Sequence, residues 1–148
     1  STHMTGQINA NAAPKWLLWV GILFLLWNLM GIGAFASQWT MSDADVAALP
    51  QVQRDLWVSM PGWAWVAYAI GVGVGTLGAI GLLLRKWWAP LAFALSLIAV
   101  LVQFSHPFLF LQQSKGDMAM LAFPIFIVVM AIIQWQLSRA WQRKGWLA

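Results

Sequence analysis

From Trp16 to Ala36 the chain reads WLLWVGILFLLWNLMGIGAFA, without one charged residue. A helix crossing the hydrocarbon layer of a bilayer needs about 20 consecutive apolar residues. The pattern recurs at about Gly62–Leu84, Trp88–Leu111 and Met118–Ser138. Each run is too long for a strand, and none alternates with period 2. Inside a bilayer the backbone N–H and C=O groups find no water, so each segment must satisfy them internally, as an α-helix does. The expected fold is all-α, an integral membrane four-helix transmembrane bundle. Only the 37–61 connection is long, so neighbouring spans should pack antiparallel.

Charge agrees. Only 8% of the 148 residues are charged, against about 25% in a soluble domain. That is too little to coat a globule. Residues 1–3, ahead of Met4, read as an expression scar, 4–15 as a cytoplasmic tail, and 16–148 as a single four-span domain. Ala34–Ser37 resembles a signal-peptidase site, but the apolar region before it exceeds the roughly 7–15 residues of a signal peptide. The first span is therefore expected to be retained.

Basic residues set the orientation. Lys15, Arg85, Lys86, Arg139, Arg143 and Lys144 fall on one side of a four-span chain, Arg54 and Lys115 on the other. By the positive-inside rule both termini of this multi-pass chain are expected to be cytoplasmic. Tryptophan follows: Trp16, Trp19, Trp87, Trp88, Trp141 and Trp146 mark the inner interface, and Trp39, Trp57, Trp63 and Trp65 the outer one. Trp27 lies near mid-span, either as interhelical filler or as the wall of a pocket.

Several chemistries are set aside. With no cysteine, disulfides and thiolate chemistry are excluded. There is no glutamate, and Asp43, Asp45, Asp55 and Asp117 all lie outside the apolar runs. Ion-coupled transport usually relies on intramembrane carboxylates. The small multidrug resistance family, also four spans long, uses an embedded glutamate that is absent here. With His3 in the scar, His106 stands alone, so one chain can assemble neither a zinc site nor a paired-histidine haem site. Ser105 beside His106 lacks an orienting acid, and adjacent helix residues point apart. No enzymatic activity and no cofactor are expected. The net charge of +4 is spread over helix ends and offers no nucleic-acid surface.

Within the 37–61 loop, Ser42 with Asp45 three residues on has the spacing of a capping box, and Pro50 ends or restarts a helix. Short amphipathic helices capping the outer mouth are expected there, with Leu49, Val52, Leu56 and Trp57 at the membrane surface.

Polar and small residues mark the inward faces. Gly71, Gly75 and Gly78 share one face of the second span and suit close helix contact, inside the bundle or between copies in a homo-oligomer. Ala92, Ser96, Ala99, Gln103 and His106 form a seam along the third. Gly21, Asn28 and Gly31 share a face of the first span, and Ala131, Gln134 and Ser138 a face of the fourth. At 1.5 Å per residue, Asn28 lies roughly 18 Å, Gln103 about 22 Å and His106 about 27 Å from the inner edge. Tyr68, Pro107 and Pro124 share that outer half. Two readings are open. Asn28, Tyr68, Gln103 and His106 line an outward-facing cavity for a ligand with hydroxyl or zwitterionic groups. Alternatively they are interhelical glue, with Gln103 and Asn28 bonded to each other and His106 at a wet helix end.

The stretches LLWNLMGIGAF, PGWAWVAYAIGVGVGTLGAIGLLLRK and LSLIAVLVQ, with a C-terminal KGW, resemble a group of uncharacterised small four-helix proteobacterial inner-membrane proteins. Members are often automatically labelled "sugar transporter". The resemblance runs over nearly the whole chain from Trp16 and implies a transport role, without assigning residues to it. Two functions follow as expectations. One is binding or facilitated transport of a small neutral or lipid-like molecule, entering from the outer side through the polar cavity, with membrane lipids as the surrounding partners. The other is a non-transporting interaction or assembly protein packed against a membrane partner. One four-helix chain is small for a transport pathway, so transport implies a dimer or larger.

Overall fold

The computed structural model describes residues 13–114 and 118–148. Most of the amino-terminal tail, with His3, and Lys115 and Asp117 lie outside them. Four long apolar helices carry the fold: α1 (Trp16–Trp39), α4 (Gly62–Leu83), α5 (Ala89–Ser114) and α6 (Ala122–Arg143). Each is long and apolar enough to cross a membrane. The chain is an all-α, multi-pass membrane protein. Between α1 and α4 lie two short helices, α2 (Asp43–Ala47) and α3 (Gln51–Ser59). A 3-10 turn at Met118–Leu121 leads into α6.

The predicted faces are the ones that meet. Ala92, Ser96, Ala99 and Gln103 are buried, as are Gly71, Gly75 and Gly78, and Ala131, Gln134 and Ser138. The most extensive contact is α4 on α5; α1 packs on α4, and α6 on α5. Glycine permits the close approach. A Cβ on Gly71 would lie 3.2 Å from Val100 Cγ2, and one on Gly78 2.9 Å from the Phe93 ring. The glycine stripe is thus filled from within the chain. Gly81, which lies off that stripe, receives the Trp88 indole, 2.6 Å from where its Cβ would stand.

The end carrying the chain termini is closed by a core of Leu17, Phe24, Leu82, Phe93 and Trp141. Trp16 lies edge-on to Trp141 with ring centroids 5.8 Å apart. Both helices ending there stop in a left-handed residue, Arg85 at φ 57° and Gly145 at φ 79°. After α4, Lys86 N–H donates to the Gly81 carbonyl at 2.7 Å and Arg85 N–H to Leu82 at 3.0 Å. After α6, Trp146 N–H reaches Trp141 and Gly145 N–H reaches Gln142, both at 3.0 Å. This is the Schellman pattern, which satisfies carbonyls that the helix end leaves orphaned. The last residues then clasp the α4–α5 turn: Trp87 N–H donates to Ala148 O, and Ala148 N–H to Arg85 O.

At the other end, the Ser42–Asp45 capping box forms in both directions. Pro50 caps α3 as a restart. Helix α3 is fixed through aromatic rings: Trp57 lies edge-on to Trp65 at 5.9 Å, and Trp65 stacks on Tyr68 at 6.2 Å. The tryptophans at this end therefore pack against each other, Trp39 also lying edge-on to Trp65 at 5.3 Å.

Candidate functional site

In the half of the bundle nearer the 37–61 loop, the four spans enclose a cavity of about 350 Å³. Its floor is α4 and α5, with Tyr68, Gly71, Ser96 and Gln103 buried; α1 and α6 supply the remaining walls. A second chamber of about 160 Å³ adjoins it, roofed by Leu56 of α3 and by Met60. Gln38, Tyr68, Gln103, Phe104 and Pro124 line both. Among the described residues, no aspartate, glutamate, lysine or arginine lines either space.

Asn28, Tyr68 and Gln103 therefore come together at one cavity. His106 lines the second chamber together with Tyr68 and Gln103, and there its Nε2 and Ser59 Oγ share a hydrogen bond of 3.4 Å that ties α5 to α3. Its ring lies edge-on to Trp63 at 6.3 Å. Neighbouring Ser105 donates to the Val102 carbonyl at 2.6 Å.

Asn28 and Gln103 are not bonded to each other. Asn28 Nδ2 donates to Gln134 Oε1 and to the Phe24 carbonyl, each at 2.7 Å. Gln134 Nε2 in turn donates to Met130 O at 3.2 Å. Asn28 is therefore the glue of the α1–α6 seam, with its donors committed. The pairing was hidden from sequence reasoning because its partner lies 106 residues away. We expect Asn28→Leu to lower stability by about 1–2 kcal/mol, since it strands the Gln134 carbonyl oxygen. The pair Asn28→Leu/Gln134→Leu should recover part of that loss. Thermal unfolding of the four species in detergent checks the coupling; additive losses would contradict it.

Gln103 and Tyr68 differ from Asn28. Each is 8% exposed, and neither side chain has a hydrogen-bond partner among the described residues. Their polar atoms are nevertheless not sealed in protein; the one fully buried and unpartnered polar side-chain atom among the described residues is Trp57 Nε1. They face the void. Pro107 adds to this: it has no N–H, so the carbonyl of Gln103, four residues earlier, loses its helical donor. Pro124, in the first turn of α6, costs no such bond, because early N–H groups have no intrahelical partner.

Three polar lining residues escaped the sequence reading as site residues: Ser96, Gln134 and Gln38, the last of them ten residues beyond Asn28 on α1. The signal was present, but a span ended at Ala36 leaves Gln38 in the loop. Trp27 is both filler and wall: it lines the cavity and meets Phe126 edge-on at 5.5 Å. Comparison with family models, curated proteins and solved structures gives no match.

Proposed function

We propose that the chain is a membrane-embedded binding protein for a small uncharged or lipid-like molecule, held in the cavity nearer the 37–61 loop. On the positive-inside orientation this is the outer side of a bacterial inner membrane. The observation that carries the reading is the pair Gln103 and Tyr68: buried, unpartnered and turned to a void. Their polar atoms are accessible from the void and have no protein partner, so a ligand hydroxyl or carbonyl can hydrogen-bond to them in place of water. A charged ligand does not suit the site, because no counter-charge lines it among the described residues and desolvating an ion is expensive. About 350 Å³ also falls in the usual range for small-molecule sites.

Binding is favoured over passage. The opposite half is plugged by the Phe24, Phe93 and Trp141 core, so transport requires the seam between α1 and α6 to rearrange. An assembly protein that docked through the Gly71, Gly75 and Gly78 stripe would need that stripe exposed, and it is buried within the chain.

Ligand-induced stabilisation tests the reading. A polyol (glycerol), a monoacylglycerol and the matching fatty-acid carboxylate are titrated during thermal unfolding. An uncharged probe at 100 times its Kd is expected to stabilise by about 2.7 kcal/mol, with the effect lost in Gln103→Leu. Stabilisation by the carboxylate alone, or equal shifts in the variant, would contradict the proposal.

A further inference from the structure

We infer that the cavity is loaded sideways from the lipid, through a slot between α1 and α6, and that its ligand is an uncharged single-chain amphiphile. This rests on the binding reading above and adds the route and the ligand class. Exposure around the cavity is one-sided. Its floor residues on α4 and α5, Tyr68 and Gln103, are each 8% exposed, whereas Met30 on α1 is 69% and Phe123 on α6 is 65% exposed. Ala34, also at this rim, is exposed. The mouth therefore lies between α1 and α6. Among the described residues these are the adjacent spans without an extended backbone contact. They are joined by the Asn28–Gln134 bond, by Trp27 edge-on to Phe126 at 5.5 Å beside the slot and, toward the terminal end, by Trp16 against Trp141.

Depth decides what the mouth faces. Met30 and Ala34 lie about 21 and 27 Å along α1 from Trp16, and Phe123 lies about 6 Å from the start of its span at Ala119. Both estimates fall within the hydrocarbon layer rather than at the water surface. A solute dissolved in water does not meet that opening, but a lipid-borne molecule does. Toward the loop, Gln38, Tyr68 and Gln103 sit where the two chambers join. The polar group of the ligand belongs there, with its chain running back to the slot beside Trp27 and Met30. Size limits the chain: a void of about 150 Å³ holds one benzene, so about 350 Å³ suits one short chain rather than a two-chain phospholipid.

The test uses the full chain in phosphatidylcholine vesicles with a monoacylglycerol bearing a mid-chain diazirine. After irradiation, labelled peptides are mapped. Labelling is expected on α1 around Met30 and Ala34 and on α6 around Phe123. Excess unlabelled monoacylglycerol should compete; glycerol should not. Gln103→Leu should weaken the competition midpoint about tenfold, the worth of one hydrogen bond. Ala34→Trp, an exposed substitution that fills the slot, should abolish labelling. Non-saturable labelling spread over all lipid-facing helices overturns the inference. Saturable glycerol binding without labelling at the slot also overturns it, while leaving the polar-cavity reading intact. Saturable binding of neither probe removes both.

Discussion

Gly75→Leu is expected to destabilise the protein by about 3 kcal/mol or more, a fall on the order of 10 °C in Tm or a failure to accumulate folded chain. Gly75 is where three spans converge. A Cβ there would overlap Asn28 Oδ1 and stand 2.9 Å from Ser96 Oγ. Ser96 is itself committed, donating to the Gly71 carbonyl at 2.7 Å. A leucine at 75 therefore strains the α4–α5 contact and dislodges Asn28 from Gln134 together. Gly73 is the control: a Cβ there meets nothing within 4 Å. Gly73→Ala should be neutral or stabilising by up to about 1 kcal/mol, from helix propensity alone. Tryptophan-fluorescence melting in detergent separates the two. Equal losses at 73 and 75 would contradict the intrachain seam.

Trp141→Ala is expected to cost about 3–5 kcal/mol. Trp141 is 2% exposed and is the largest fully buried side chain. It joins α6 to Trp16 of α1 and to Trp146 of the terminal clasp, at 5.8 and 6.3 Å between centroids. Lipid is as apolar as this core, so what is lost is close contact rather than transfer from water. Trp27→Ala provides the contrast. Trp27 borders an existing void and is only partly buried, so its loss should affect ligand retention more than melting. A large fall in Tm at position 27 with little at 141 would reverse the division between a plugged half and an open half.

The faces of the helices were legible because small and polar residues recur at helical spacing among Leu, Ile, Val and Phe. That pattern identified the Ala92-to-Gln103 seam and the glycine stripe. The capping box at Ser42 was legible because its bonds are local. Asn28–Gln134 was not, because which polar groups pair across a bundle depends on rotation and depth of both helices, and neither is written in either helix alone. His106 illustrates the same limit. Spacing placed it on the Gln103 face, and it shares the second chamber with Gln103, but its bond to Ser59, 47 residues away in the chain, could not be read from α5 alone. The role of Gly81 depended on where Trp88 folds after the α4–α5 turn.

The measurement that bears most directly on a ligand-holding cavity is native mass spectrometry of the protein released from mild detergent. The wild-type chain should retain a bound mass of a few hundred daltons, small enough for about 350 Å³. That mass should be lost in Gln103→Leu, and persist in His106→Leu if the second chamber serves the α3 cap rather than the ligand. A chain that flies bare, with spectra unchanged by either substitution, would contradict the cavity as a binding site and leave Gln103 as an unpaired amide with no task.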